Sequence, residues 1–282
     1  MQIINRLEPL RTAIARLRAH GSTIALVPTM GALHEGHLTL VDEARAKADR
    51  VVVSIFVNPK QFGEDEDLDA YPRQMERDGE LLEARKVDLL WAPPVAEVYP
   101  AGFATTVSVA GLTDVLCGAD RPGHFDGVAT VVTKLFNETQ PDAAFFGEKD
   151  WQQLAVIRRM ARDLDVLFPA ADAIHGVPIV REDDGLAMSS RNAYLSPAQR
   201  QQAAALPAAM RDAIALLGKG EDTDRVLGNL QATLKASGFN TVDYAELRDE
   251  TSLASVDTAQ DGARLFVAAR IGGTRLIDNM GL

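Results

Sequence analysis

The sequence predicts an α/β fold: a parallel sheet wound with helices on both faces, then a smaller α+β segment. Three observations carry this. Short apolar runs alternate with helical text over roughly the first 178 residues. The run "RVVVSIFV" is apolar on both faces, as a strand buried between two helix layers must be. Beyond residue 178 the alternation stops, and helical stretches are followed by extended ones.

The elements follow in order. "STIALVP" is a short apolar strand ending in Pro28, and "HLTLVDEARAKAD" has helical spacing. "RVVVSIFVNP" is the second strand, "PRQMERDGELLEARKV" a helix and "DLLWAPP" a strand. In "FDGVATVVTKLFNET", Val128, Val131, Val132, Leu135 and Phe136 form one helical stripe. "PDAAFFG" reads as a strand and "DWQQLAVIRRMARDL" as a helix. In the last third, "SPAQRQQAAALPAAMRDAIALLGKG" opens with Ser196 and Pro197 in N-cap and N1 roles. "DTDRVLGNLQATLKASG" stops at Gly238. "TVDYAELRD" and "ARLFVAARIGGTRLIDN" are strands, the latter a hairpin turning at Gly272–Gly273. A length of 282 residues suits one large or two modest domains, and the division expected here is 1–178 and 179–282.

Composition bounds the function. Hydrophobic residues make up 46% and charged residues 24%, as in ordinary folded proteins. The net charge is −11, and neither half carries a basic surplus. That argues against sequence-independent binding to nucleic acid or to an anionic membrane, but not against a small anionic substrate met by local positive charge. Cys117 is the single cysteine, so a disulfide framework and a cysteine cluster for zinc are excluded. The start "MQIINRLEPLRTAIARLRAHG" is amphipathic and charged, unlike a secretory signal, and no apolar run could span a bilayer. A cytoplasmic protein is expected.

Ligands of parallel sheets sit at the carboxyl ends of strands. Three chemically rich stretches fall there: the one after "STIALV", "NPKQF" after "VVVSIFV", and "GEKD" after "DAAFF". The first, "VPTMGALHEGH", holds His34 and His37 three apart with Glu35 and Gly36 between. Two histidines so spaced can start a zinc site, but a third ligand is needed and only His20, His124 and His175 remain among histidines. The plainer reading is a structural pair, which the neighbouring Gly31 and Gly36 at a strand-to-helix turn disfavour. The phosphate reading explains more: a helix N-terminus presents free N–H groups and a positive dipole end, Gly36 lets a flat ring lie against the backbone, and protonated imidazoles donate to phosphate oxygens. Far downstream, "GLAMSSRNAYLS" carries Met188, Ser189, Ser190 and Arg191. Two hydroxyls and a guanidinium suit phosphate oxygens, although a polar loop before the Ser196 cap is the plainer reading.

A strand, a Thr-Met-Gly turn and a His-x-Gly-His helix start resemble the HIGH motif of class I aminoacyl-tRNA synthetases and nucleotidyltransferases, and "MSSR" resembles their KMSKS loop. The stretches "PTMGALHEGH", "SIFVNPKQF", "DLDAYPR", "RPGHFDGVATVV", "FFGEKDWQQL" and "REDDGLAMSSRNAYLS" together resemble the pantoate–β-alanine ligase family over most of the chain. The resemblance implies a Rossmann-like N-terminal domain, a smaller domain closing over it, and a homodimer. It implies attack of pantoate on magnesium-bound ATP to give a pantoyl adenylate and pyrophosphate, then displacement of AMP by β-alanine. It assigns ATP to Met30, Gly31, Ala32, Leu33, His34, Glu35, Gly36 and His37, to Gly147, Glu148, Lys149 and Asp150, to Val180, and to Met188, Ser189, Ser190 and Arg191. His37 is its usual candidate acid at the phosphates.

The residue types suit that chemistry. A carboxylate nucleophile, with a pKa of about 4, is ionised at neutral pH and needs no general base. Adenylation then needs positioning and positive charge, which His34, His37, Lys149, Ser189, Ser190 and Arg191 can supply with magnesium. The resemblance places Gln61 and Gln153 on the hydroxyls of pantoate, and Val131 and Val132 suit its methyls. Plainer readings stand beside these: Asp150 and Gln153 as a D-x-x-Q capping box, the valines as core, Gln61 as loop. The acidic loop around residues 58–72 is either a mobile cover or a solvated surface, with Asn58 and Tyr71 in supporting roles. The magnesium ligands stay open, with Asp150 a conceivable helper. Rival readings are another nucleotidyltransferase, which would need a basic pocket for a second phosphate, a synthetase relative, which would need a basic tRNA-binding module, and a non-catalytic nucleotide sensor.

Overall fold

The computed structural model describes residues 1–19, 21–63 and 66–282. Six strands form one parallel sheet: β1 (Gln2–Ile4), β2 (Ile24–Thr29), β3 (Arg50–Ile55), β4 (Leu89–Trp91), β5 (Ala143–Gly147) and β6 (Ile174–Val177). Their order is β1-β4-β3-β2-β5-β6. The helices between them are α1 (Leu7–Arg18), α2 (Glu35–Lys47), α3 (Met75–Ala84), the short α4 (Val95–Val98) and α5 (Cys117–Asp120), α6 (His124–Thr139) and α7 (Trp151–Asp163). Helices α1, α6 and α7 bury Leu10, Val128, Phe136 and Ile157 on one face of the sheet. Helices α2 and α3 bury Leu38, Val41 and Leu82 on the other. This is the doubly covered parallel sheet expected, and the continuous apolar text of β3 follows from it: Val51 through Val53 have no exposed surface.

Strand succession reverses between β2 and β5, which makes their carboxyl ends the switch point of the sheet. The two strands also part there. β2 pairs with β3 as far as Thr29↔Ile55, but with β5 only at Ala25↔Ala143 and Leu26↔Ala144. Pro28 has no N–H to donate to a neighbour, which suits the end of a ladder. The gap beyond Leu26 opens a cleft lined by Pro28, Thr29, Phe146 and Gly147.

After β6 the chain enters α8 (Pro197–Ala203), α9 (Ala205–Leu217) and α10 (Thr223–Ala236), which pack on a separate antiparallel sheet of β7 (Thr241–Asp249), β8 (Ala263–Ile271) and β9 (Thr274–Gly281). Ser196 caps α8 by accepting from the Gln199 amide at 3.3 Å, as its position suggested. Gly272 and Gly273 both take left-handed backbone, at φ +54° and +85°, which the two-residue turn between β8 and β9 requires. The helical text from 197 to 217 is interrupted at Ala204, three residues before Pro207, whose ring cannot sit deep in a continuous helix. The edge strands β1 and β6 were not read from sequence. "QII" and "IHGV" are too short to show a period, and only pairing with β4 and β5 makes them strands.

Gly127 of α6 locks the loop after β3 to this frame. A Cβ built there would lie 2.1 Å from the Lys60 carbonyl oxygen. Gly127→Ala should therefore displace the 58–61 turn and cost about 1–3 kcal/mol of unfolding free energy by overpacking. Urea unfolding with a wild-type midpoint would show that this contact does not hold the turn.

Candidate active site

The cleft is built from the ends of β2, β5 and β6, the α6 face and the 188–191 segment, and it encloses a volume of about 230 Å³. Its floor starts at the turn after β2. Gly31 and Ala32 are left-handed, at φ +83° and +50°. For alanine that conformation costs about 1–2 kcal/mol. Asp78 of α3 offsets it: its buried carboxylate accepts from the Ala32 and Leu33 amides, both at 2.8 Å. Asp78 was missed in the sequence, because an acidic residue in an amphipathic helix reads as solvent-facing. The turn delivers His34 as N-cap of α2. The His34 amide donates to His37 Nδ1 at 3.4 Å, and the two rings lie 4.1 Å apart. A Cβ on Gly36 would be 3.0 Å from the His34 ring, so the glycine makes room for that imidazole.

The electrostatics set the resting charge of the two histidines. Burial, with Lys149 nearby, lowers the His34 pKa to about 4. Burial lowers His37 to about 3, with His34 and Lys149 adding to the effect. Both imidazoles are therefore neutral at pH 7 in these surroundings; the protonated form anticipated for them is the one that neighbouring phosphates would favour. Because His37 Nδ1 accepts the His34 amide, the ring's proton is on Nε2. His37 thus offers a neutral N–H donor. His34 Nδ1 is buried with no protein partner among the described residues.

The two distant motifs meet. Ser190 Oγ donates to the Ala32 carbonyl at 3.1 Å, and Met188 lies 3.8 Å from where a Gly36 Cβ would be. Ser189 Oγ accepts from the Arg191 amide at 3.3 Å, starting a 3-10 turn over Ser190–Tyr194. Met30, Gly147, Lys149, Asp150, Gln153 and Val180 line the same cleft. The capping box proposed for Asp150 does not form: Asp150 is the N-cap of α7 without a side-chain cap bond, and its carboxylate lies 3.8 Å from Lys149 Nζ. Val131 and Val132 are both buried core and cleft wall, so the two readings of them coincide. Gln61 is not free loop. Its Oε1 accepts from Asn58 Nδ2 at 3.0 Å, while Asn58 is itself held by the Gly127 carbonyl and Tyr99. Two assigned side chains point elsewhere. Glu35 pairs with Arg85 at 2.9 Å, and the Glu148 carboxylate packs beside Gly176. Gly31, Ala32 and Leu33 do not line the cleft: the first two form the left-handed turn leading to His34, and Leu33 is in the core.

The acidic loop is tied down on both sides of the cleft. Asp67 takes Arg191 in a two-pronged pair at 3.1 and 2.9 Å. Although burial alone would raise the Asp67 pKa, the Arg191 hydrogen bonds and charge hold it below the usual carboxylate value. Glu66 takes Arg121 at 2.6 Å, and Arg121 Nη2 and His124 Nδ1 both donate to the Gln61 carbonyl. A phosphate reaching Arg191 must therefore compete with Asp67. Glu64 and Asp65 of this loop lie outside the described residues. Tyr71 and His124 also line the cleft, as does Arg121, which carried no signal in the sequence beyond its motif. A larger cavity of about 340 Å³ adjoins the cleft between the two sheets, but the histidine motif does not line it. His34 and His37 find no third metal ligand among the described residues, and His20 lies outside them.

Comparison with known proteins gives one family. The family model for pantoate-β-alanine ligase matches residues 2–281. The pantothenate synthetase of Novosphingobium aromaticivorans is 63% identical, over 100% of this chain and 99% of its own. That of Rhizorhabdus wittichii is 56% identical over 99% and 98%. A crystal structure of pantothenate synthetase from Thermus thermophilus superposes with a TM-score of 0.92 at 48% identity, covering 99% of both chains. The pantoate-β-alanine ligase of Francisella tularensis, solved with βγ-ATP and β-alanine, does so with a TM-score of 0.84 at 32% identity, covering 99% of this chain and 97% of its own.

The lowered imidazole values predict a pH effect. The unfolded chain binds more protons than the folded one from about pH 6.5 down to the folded values near 4 and 3, so stability falls as pH falls through that window. The urea midpoint should drop between pH 7 and 5, where ordinary carboxylates stay ionised. The ring C–H resonances of His34 and His37 should not titrate over that range; titration near 6.5 would refute their neutrality.

Proposed function

The chain belongs to the pantoate-β-alanine ligase family, and from that premise we propose how its residues join pantoate to β-alanine with ATP. The observation that carries the reading is the meeting of the His34–His37 helix start, Lys149 and the 188–191 segment at the switch point of the sheet. A helix N-terminus, a cation and two hydroxyls converge there, in a cleft whose acyl side offers the neutral amides Gln61 and Gln153. Those neutral amides disfavour a transferase for a phosphorylated partner, which would need cations in their place.

In the first step an oxygen of the ionised pantoate carboxylate bonds to the α-phosphorus of ATP. The bond from that phosphorus to its bridging oxygen breaks, and pyrophosphate leaves. Charge grows on the leaving group, so the donors that matter are those aimed at it. We assign this to Lys149 as the charge, to the Nε2–H of His37 and to the hydroxyl of Ser189, with that of Ser190 joining when it leaves the Ala32 carbonyl. Arg191 joins them when a phosphate replaces Asp67. His34, with its unpartnered Nδ1, is assigned to ATP beside the α2 N-terminus. Gln61 and Gln153 hold the hydroxyls of pantoate, and Val131 and Val132 exclude water from its methyls. In the second step the amine of β-alanine attacks the acyl carbon and AMP departs; the amine's proton goes to solvent.

Magnesium arriving with ATP would neutralise charge at the phosphates. The ion would be held largely by phosphates and water, and Asp150, free of a capping bond, is the carboxylate that would assist. We further propose a division into domains at residues 178/179, a homodimer and a cytoplasmic setting, where ATP is supplied. No helix among the described residues is long and apolar enough to cross a membrane.

The test is pyrophosphate exchange into ATP, with and without pantoate, then AMP release on adding β-alanine. Exchange should require pantoate, and AMP release should require β-alanine; exchange indifferent to pantoate overturns the reading. His37→Ala or Lys149→Ala should slow adenylation at least tenfold, about 1.4 kcal/mol of barrier. Normal rates in both would remove the roles given to these residues.

A further inference from the structure

The segment bearing Lys149 and Asp150 is held from outside its own sheet. Asn279, on β9 of the C-terminal sheet, is buried at 3% exposure. Its Nδ2 donates to the Glu148 carbonyl at 2.9 Å and to the Lys149 carbonyl at 3.0 Å. Its Oδ1 accepts from Arg264 Nη1 at 2.7 Å. That last bond fixes which way the amide points, because a flipped amide would face the guanidinium with its own donors. Arg264 in turn lies flat on Trp151, 3.5 Å from the ring centroid, and Trp151 Nε1 donates to the Glu250 carbonyl at 2.7 Å. Trp151 opens α7 directly after the lysine turn.

We propose that Asn279 is a positioning residue for Lys149, supplied by the C-terminal sheet through Arg264. The inference rests on the role given to Lys149 above. A single 3-10 turn, Glu148–Asp150, has poor hydrogen-bond geometry of its own and does not by itself fix where the Lys149 side chain starts. Two donors from one rigid, buried amide fix both of its first carbonyls. The lysine is thereby in register only while β9 is docked, so assembly of the site and docking of the two sheets become one event. A displacement of the order of 1 Å at such a cation is enough to cost up to a hundredfold in rate. The neighbouring Asp278–Arg181 pair, at 2.7 and 2.9 Å, anchors β9 to the chain just after β6 without touching the lysine turn. That separates anchoring from aiming.

The experiment is a double-mutant cycle on adenylation in the full-length enzyme. Asn279→Asp keeps the size and the Arg264 bond but turns both donors into acceptors facing carbonyls. It should lower kcat about tenfold and leave KM for pantoate unchanged. In a Lys149→Ala background the same change should cost less than twofold, since the group it aims is gone. Arg264→Lys, which loses the flat stacking on Trp151 and frees the amide to turn, should give a smaller loss of the same kind, two- to fivefold. It also keeps the proposal testable if the Asn279 variant fails to fold. An equal loss in both backgrounds, or a lower melting temperature with unchanged kcat, overturns the positioning role while leaving the function standing. A normal rate in Lys149→Ala alone removes the role given to Lys149, and with it this proposal, while the function reading falls only if exchange proves indifferent to pantoate.

Discussion

Two neighbouring parallel strands that stop pairing partway create this active site. β2 stays bonded to β3 up to Thr29, while its ladder to β5 ends at Leu26. The chains that leave these two strands turn in opposite directions along the sheet, so no connection fills the gap. Every group proposed for catalysis stands on its rim: the turn and α2 start after β2, the Gln61 loop after β3, the Lys149 turn after β5 and the segment that follows β6. The gap is polar because its walls are chain ends, and deep because the sheet beneath it is fully buried.

Holding such a rim in place is the main energetic problem. Left-handed Ala32 is strained by about 1–2 kcal/mol. Two amide bonds to the Asp78 carboxylate, each worth about 1.5–3 kcal/mol, outweigh it. Elsewhere the device is similar: a side chain from another element satisfies the loop's backbone. Asn58 reaches the Gly127 carbonyl, Arg121 and His124 reach that of Gln61, and Asn279 reaches those of Glu148 and Lys149. The loops are thus fixed by tertiary contacts rather than by their own propensities. The cations that face the cleft are partly occupied by carboxylates, Arg191 by Asp67 and Arg121 by Glu66, which limits unpaired positive charge there.

Much of the architecture was legible because burial on both faces leaves a periodic mark. Strands β2 to β5 and helices α2, α3, α6 and α7 all followed from their apolar spacing. The stripe Val128, Val131, Val132, Leu135 and Phe136 is buried along its length. β1 and β6 left no such mark, being short and defined by pairing. The site motifs were legible too, but their side chains were not equally so. Glu35 and Glu148 sit within motifs and point away, since a short motif fixes backbone and only some of its side chains face the ligand.

By itself, the sequence determined the class of fold, the two stretches of glycine, histidine, serine and arginine that mark phosphate chemistry, and, through resemblance, the family. It did so because covalent order and local periodicity are enough to specify strands, helices and the turns between them. Only the tertiary structure decided the burial that keeps His34 and His37 neutral, the commitment of Arg191 to Asp67, and the hydrogen bonds that Asn279 gives the lysine turn. Each of these turns on what surrounds a group in space: how much water is excluded, which charge stands opposite, which donor arrives from a distant strand. Residues 46, 124 and 130 positions apart along the chain make those contacts, and no local pattern records a partner at that distance.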